Sequence, residues 1–389
     1  MDGSRAAADT TTTTGTAAAM STAAAEWLDA LDAEQRATAT GAVPGGPDDV
    51  ERQRWFYTPT DHGGLTVHQQ RPAQQRRAMA LLATGLSPAA YGTVAVVMGL
   101  ENVLDRVEGF TALFGRERGR DPGLYHLRVF GDPTGPGPWA WRFGGHHVSV
   151  NVLVVDGRVA ACTPLFLGAD PATSPLLGGA VLRPLGAVED LARDLVRSLD
   201  PDLARTAVVL PRAPADIVGA NRTRVAPGDR TIPLAGVWRA PFPDPDQWAA
   251  LQRASDAMDA AAGLDDADHA AIALAREPLG VPGAALDAGQ RAVLRALLGA
   301  YLDRVPDALS PMGRYAGTPE GDAALDAVHL AWAGSTEPGE PHYYRLEGPR
   351  LLLEWDNTQR GTNHAHSVWR DPEADFGLDL LAAHRERHH

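Results

Sequence analysis

The sequence predicts an α+β fold, an antiparallel or mixed β-sheet core flanked by helices, and three observations carry that reading. Helix-like and strand-like segments fall in separate blocks along the 389 residues. Neighbouring strand-like runs are joined by turns too short for the helical crossovers that parallel strands require. No Gly-x-Gly-x-x-Gly follows a strand, so the signature of a dinucleotide-binding sheet is missing.

The first 25 residues are rich in Ala and Thr, with a Thr run at 10–14. They lack a basic start followed by an apolar block. Residues 1–20 are therefore expected to be a disordered tail, and residues 21–389 to form one α+β domain. Its first block, 21–110, reads as helical. Trp27, Leu28 and Leu31 share a side of a helix over 21–40, with Ser21 or Thr22 to cap it. A second helix covers 69–84 around Met79-Ala80-Leu81-Leu82. Ser87-Pro88 opens a third, a capping hydroxyl followed by proline at the first helical position. That helix reaches about Glu108 and is apolar around much of its circumference.

Strands fill 125–165. Tyr125–Phe130, Trp139–Phe143, His147–Val155 and Val159–Leu165 are short β-branched or aromatic runs separated by Gly, Pro and Asp-Gly. Asp156-Gly157 between two of them is a hairpin signal. The block 186–304 is mainly helical, with helices at 186–199, 245–275 and 287–304. It is interrupted by a Pro-rich stretch at 211–246, where mobile loops or a lid are expected because irregular segments of that length are uncommon unless functional. Strands return over 328–370: Val328–Ala333, Tyr343–Glu347, Leu351–Asn357 and His366–Trp369. There is no internal repeat.

Composition removes several classes of function. The formal charge is −14, and neither sign is clustered, which argues against a nucleic-acid partner. All 35 basic residues are arginine, so Schiff-base chemistry, pyridoxal phosphate and a lysine-bearing phosphate loop are excluded. The single cysteine, Cys162, lies in an apolar context and reads as a small buried side chain. No run approaches the roughly 18–20 apolar residues that span a bilayer. The expectation is a cytoplasmic protein with a small-molecule substrate and no membrane or nucleic-acid partner.

Two histidine-bearing segments carry the candidate chemistry. Strand alternation from His147 puts His147, Ser149 and Asn151 on one face and His146, Val148 and Val150 on the other. His147 is the preferred ligand of the pair, and His146 reaches the site from the turn. In the later strand, Leu352, Glu354 and Asp356 share a face. A carboxylate as deep in an apolar run as Glu354 is costly unless paired or metal-bound. His364 and His366, at i and i+2, also share a face. His-x-His plus a histidine from another strand supplies a three-ligand site with an open position. The expected metal ligands are His146, His147, His364 and His366, holding a divalent ion such as Zn, Fe or Cu. Glu354, Asp356 and Asp371 are the candidate catalytic carboxylates, although Arg370-Asp371 also reads as an internal ion pair. Arg54 and Tyr57, beside Trp55 and Phe56, suit a substrate carboxylate or ring, with plain packing as the alternative. Arg128, Arg142, Asn151 and Arg370 complete the candidate substrate contacts, and Glu101 is a further carboxylate in an apolar helix.

Most of residues 50–385 resembles a family known as domain of unknown function 3500. The likeness is carried by Trp55 with Thr58-Pro59, by Leu100-Glu101-Asn102-Val103-Leu104, and by Arg120-Asp121-Pro122 with Tyr125. It continues through Phe130-Gly131-Asp132-Pro133, Gly145-His146-His147-Val148-Ser149-Val150-Asn151 and Thr163-Pro164-Leu165-Phe166-Leu167-Gly168. Tyr343-Tyr344-Arg345, Glu354-Trp355-Asp356-Asn357-Thr358-Gln359 and the run Asn363–Pro372 complete it. Trp355 stands where such sequences usually carry another aromatic such as Tyr. The resemblance implies no activity.

From the residues, the expected function is a metal-dependent enzyme that hydrolyses a small ester or amide, favoured because acids and bases are plentiful and no redox cofactor motif is present. An iron or copper oxidoreductase using the same histidines stays open. So do a metal-free hydrolase or lyase built on His147 and Glu354, and a small-molecule binding protein.

Overall fold

The computed structural model describes residues 2–46, 48–240 and 242–381. Helices α1 (Asp2–Asp29), α2 (Ala33–Ala39), α3 (Pro72–Thr84) and α4 (Pro88–Val107) precede the main strands, with edge pieces β1 (Thr40–Gly41) and β2 (Leu65–Thr66) between them. Five strands follow: β3 (His126–Phe130), β4 (Trp139–Gly145), β5 (Val148–Val155), β6 (Arg158–Ala161) and β7 (Leu165–Ala169). A small hairpin, β8 (Ser174–Pro175) with β9 (Val181–Leu182), stands apart. Then come α5 (Gly186–Arg197), α6 (Pro201–Ala207), β10 (Val208–Leu210), α7 (Pro245–Ala262), α8 (Asp266–Ile272), β11 (Val281–Pro282), α9 (Ala288–Leu302) and α10 (Pro319–Asp326). The chain closes with β12 (His329–Gly334), β13 (His342–Gly348), β14 (Leu351–Gln359) and β15 (His364–Arg370).

The tail expected over 1–20 is corrected by α1. Ala17, Met20, Ala24 and Trp27 recur at helical spacing, are all buried, and face α3. Alanine, the strongest helix former, carries a segment whose threonines suggest a loop. The helix expected over 21–40 is divided. Asp32 ends the connection by capping α2, its carboxylate accepting from the Gln35 N–H at 2.9 Å. Ser87 caps α4 as expected, accepting from the Ala90 N–H.

Thirteen strands make one mixed sheet, with the main order β1-β3-β4-β5-β7-β15-β14-β13-β12-β10. Only the flanking pairs β1–β3 and β10–β12 are parallel among those described. Two antiparallel meanders, early and late in sequence, thus join where β7 meets β15. The hairpin at Asp156-Gly157 forms as expected, both residues taking positive φ.

Alternation along the central strands assigns their faces. Leu165, Leu167, Leu353, Trp355 and Trp369 enter the main core with Trp27, Leu81, Val94, Leu195 and Leu298 of the helices. Phe166 and Val368 point the other way, against Trp55, Tyr57, Ile217 and Trp238. One face is therefore covered by regular helices and the other by irregular segments around 55–57 and 217–238. Each fully buried Leu or Trp on the helix side contributes about 1.5–3 kcal/mol. The irregular cover is where polar side chains of the sheet find partners.

Candidate metal centre

His364 and His366 lie on β15, two residues apart and on the face of Val368, beneath the irregular cover. His147 arrives differently from the expectation. It is not on the strand but in the two-residue turn between β4 and β5, at φ +63°. Its N–H donates to the Tyr57 carbonyl at 2.9 Å, and its carbonyl accepts from the Gly168 N–H at 2.8 Å. Gly168 is paired with His366 in the ladder. A Cβ there would meet His147 Cδ2 at 2.8 Å, so the missing side chain is what admits the His147 ring beside β15.

The three rings converge through one atom each. Nε2 of His147 lies 2.7 Å from Nε2 of His364, which lies 3.0 Å from Nε2 of His366, which lies 3.3 Å from that of His147. Each ring nitrogen is either a donor or an acceptor, so hydrogen bonds cannot satisfy all three sides of such a triangle. A cation can. Nitrogens bound at roughly 2.0–2.1 Å to one zinc ion lie roughly 3.3 Å apart in a tetrahedral array and about 3.0 Å apart in an octahedral one. These three residues form a group able to hold a metal ion. Burial, then neighbouring histidines, keep the His147 and His364 imidazoles well below their ordinary range. Both are thus neutral, the state that binds metal.

Asp216 fixes the tautomer of His366. Its Oδ1 accepts from Nδ1 at 2.7 Å, leaving the Nε2 lone pair aimed at the other two rings. The Tyr57 hydroxyl donates to Oδ2 at 2.9 Å, and the Ile217 N–H donates to Oδ1 at 2.7 Å. Asp356, the register partner of His366, completes a second buried group with Asp216 and His366. Since Asp216 is occupied by His366, Tyr57 and Ile217, that group supports the ligand. Burial and then the Asp216 charge push Asp356 well above the usual carboxylate range.

The site opens on a cavity of about 720 Å³ lined by the three histidines, Tyr57, His146, Asp170, Arg120 and Arg360, with Phe114, Leu234, Trp238, Leu251 and Met258 among the apolar residues. His146 stacks on His147 at 3.8 Å between ring centroids. Its Nδ1 is 2.5 Å from Glu101, which departs from the expectation of a fourth metal ligand. Burial pushes Glu101 up to about 8 and His146 well below its usual range, so the pair is a neutral dyad sharing one proton.

Several expected site residues serve the scaffold. Glu354 does not reach the cavity. It accepts from the Val218 N–H at 2.8 Å, the Gly219 N–H at 3.0 Å and the Tyr343 hydroxyl at 2.8 Å. Those partners remove the cost of burying its charge, and they exclude it as a catalytic base. Asp356 is sealed behind His366. Asp371 is remote and pairs with Arg350 at 2.7 Å. Arg370 bonds Asp375 at 2.7 Å and the Arg222 carbonyl at 2.8 Å. Arg54, Arg128 and Arg142 surround Glu51, with Arg239 as a fourth cation, and Arg142 also donates to backbone carbonyls. Asn151 donates to Ser149 and the Pro164 carbonyl. An arginine in a half-buried strand needs an acceptor, and here the protein itself supplies it. Of the expected substrate contacts only Tyr57 lines the cavity.

Asp216, Asp170 and Arg360 escaped the sequence reading, and Arg120 entered it only among the residues that carry the resemblance. Asp216 lies in the Pro-rich stretch, where no periodicity marks a face. Its buried neighbours Ile217 and Val218 were the one available signal, and around them the stretch expected to hold mobile loops or a lid is bonded to Glu354.

Residues 13–378 match the family described as "Protein of unknown function (DUF3500)". No curated protein and no solved structure matches the chain.

Proposed function

Because the chain belongs to the DUF3500 family, whose description carries no activity, we propose its function from the site: a metal-dependent enzyme that hydrolyses a small-molecule ester or amide. The observation that carries this reading is the triangle of Nε2 atoms, 2.7 to 3.3 Å on a side, opening on a substrate-sized cavity. His147, His364 and His366 would hold a divalent ion through their Nε2 atoms, and that ion would supply an acidified water and polarise the substrate carbonyl. Hydrolysis forms a C–O bond from water to the carbonyl carbon and breaks the bond to the alcohol or amine, which takes up a proton from that water. The Glu101–His146 dyad, at the cavity wall beside His147, handles this proton.

Turnover of nitrophenyl esters and nitroanilides by chelator-stripped protein, before and after reloading with Zn²⁺ or Co²⁺, tests the reading. Activity is expected only after reloading. His146→Gln should keep the metal and lose about 10²–10⁴-fold in kcat. A reloaded protein inert towards the whole panel, or a stripped one of undiminished activity, overturns it. Oxygen consumption by iron- or copper-loaded protein in place of hydrolysis would assign the same histidines to oxidation.

A further inference from the structure

Part of the cavity wall is apolar. Phe114, Leu234, Leu251 and Met258 line the cavity and are only half-buried. None of the described residues of α7 is fully buried, although the helix holds Leu251 and Met258 against the cavity. An aromatic cluster ties this wall down: Phe114 lies 5.5 Å from Trp238, and Trp238 lies 4.8 Å from Phe242. Apolar surface held open in this way gains free energy when an apolar group displaces its water.

The charges beside the histidines are already compensated. Glu108 takes both Nε and Nη2 of Arg120, at 2.8 and 2.9 Å, and also bonds Arg360. Asp170 takes Arg360 Nε at 2.9 Å. Two guanidinium groups face two carboxylates beside the histidines, and of the other charged lining residues Arg212 lies 3.6 Å from Asp268 while Glu340 would repel an anion.

We propose that the cavity takes an uncharged ester or amide bearing a medium-length alkyl or aryl group, which lies against Phe114, Trp238, Leu251 and Met258 while its carbonyl faces the three histidines. This rests on reading the histidines as a hydrolytic metal centre. The cavity, about 720 Å³, exceeds what an acetyl group fills, so affinity grows with the apolar part.

Two ligand ladders on the full-length chain test the proposal. The first is straight-chain hydroxamic acids, acetyl to hexanoyl, on zinc-loaded protein, since the hydroxamate head anchors to the metal. Affinity is expected to rise about fourfold per methylene. Leu251→Gln and Met258→Gln, at half-buried positions that tolerate a polar group, should flatten the ladder. The second is straight-chain primary alcohols on metal-free protein, read by tryptophan fluorescence, which addresses the wall alone. Hydroxamates that bind without any chain-length dependence overturn the proposal, as does a flat alcohol series. An alcohol ladder in a protein that takes up no metal would keep the apolar site and remove the hydrolytic reading beneath it.

Discussion

His366 is defined at both ring nitrogens, by Asp216 at Nδ1 and by the two other imidazoles at Nε2. A carboxylate in this position raises the basicity of the ring and fixes its tautomer. Asp216→Asn should therefore weaken metal binding about 10–100-fold, measured by competition with a chromogenic chelator, while the fold persists. Unchanged affinity would mean that Asp216 only packs. Gly168 is the complementary case, since its role is to be small. The Cβ of Gly168→Ala would lie 2.8 Å from both the His147 ring and the Ala365 carbonyl. That substitution should displace His147 and abolish stoichiometric metal binding, as seen by metal analysis of the purified variant. A fully loaded variant would show that the ring has room after all.

The element that most shapes the site is the irregular segment over 211–246, and it was the least legible. Strands and helices revealed themselves by period: the Ser87-Pro88 start, the Asp156-Gly157 hairpin and the alternation that puts Glu354 and Asp356 on one face all recur in the structure. His364 and His366 were legible because strand geometry alone places i and i+2 together. His147 was found for a partly mistaken reason, since a turn and not a strand presents it. Asp216 was invisible, because a loop residue that meets its partner 150 positions away leaves no local signature. Glu354 was rightly singled out as too costly to bury alone, but two of its partners are the backbone N–H groups of Val218 and Gly219, which no side-chain pattern announces. These contacts clamp the segment to β14, so Glu354→Ala should cost about 3 kcal/mol in urea unfolding, from buried donors left unpaired. Metal affinity should fall with it, as Asp216 loosens. Loss of stability with intact metal binding would separate the clamp from the site.

Across the whole molecule, burying so many titratable groups makes stability depend on pH. His342 stacks on Trp332 at 4.7 Å within the sheet, and burial pushes it down to about 4. The unfolded imidazole binds a proton near pH 6.5, which the folded one refuses until about pH 4. Its contribution is complete above pH 6.5 and is lost as the pH falls between these values, up to a limit on the order of 3 kcal/mol. His342→Gln should flatten that part of the urea-stability profile relative to the parent chain, and parallel profiles would refute the assignment. No helix among the described residues is long and apolar enough to cross a membrane. The account as a whole stands on convergence: two meanders, far apart in sequence, meet at β7 and β15 and bring His147 to His364 and His366. Metal content by mass spectrometry after stripping and reloading tests this most directly. The prediction is one divalent ion per chain, absent from folded His147→Ala and His366→Ala. Equal metal in those variants, or none in the parent chain, would contradict it.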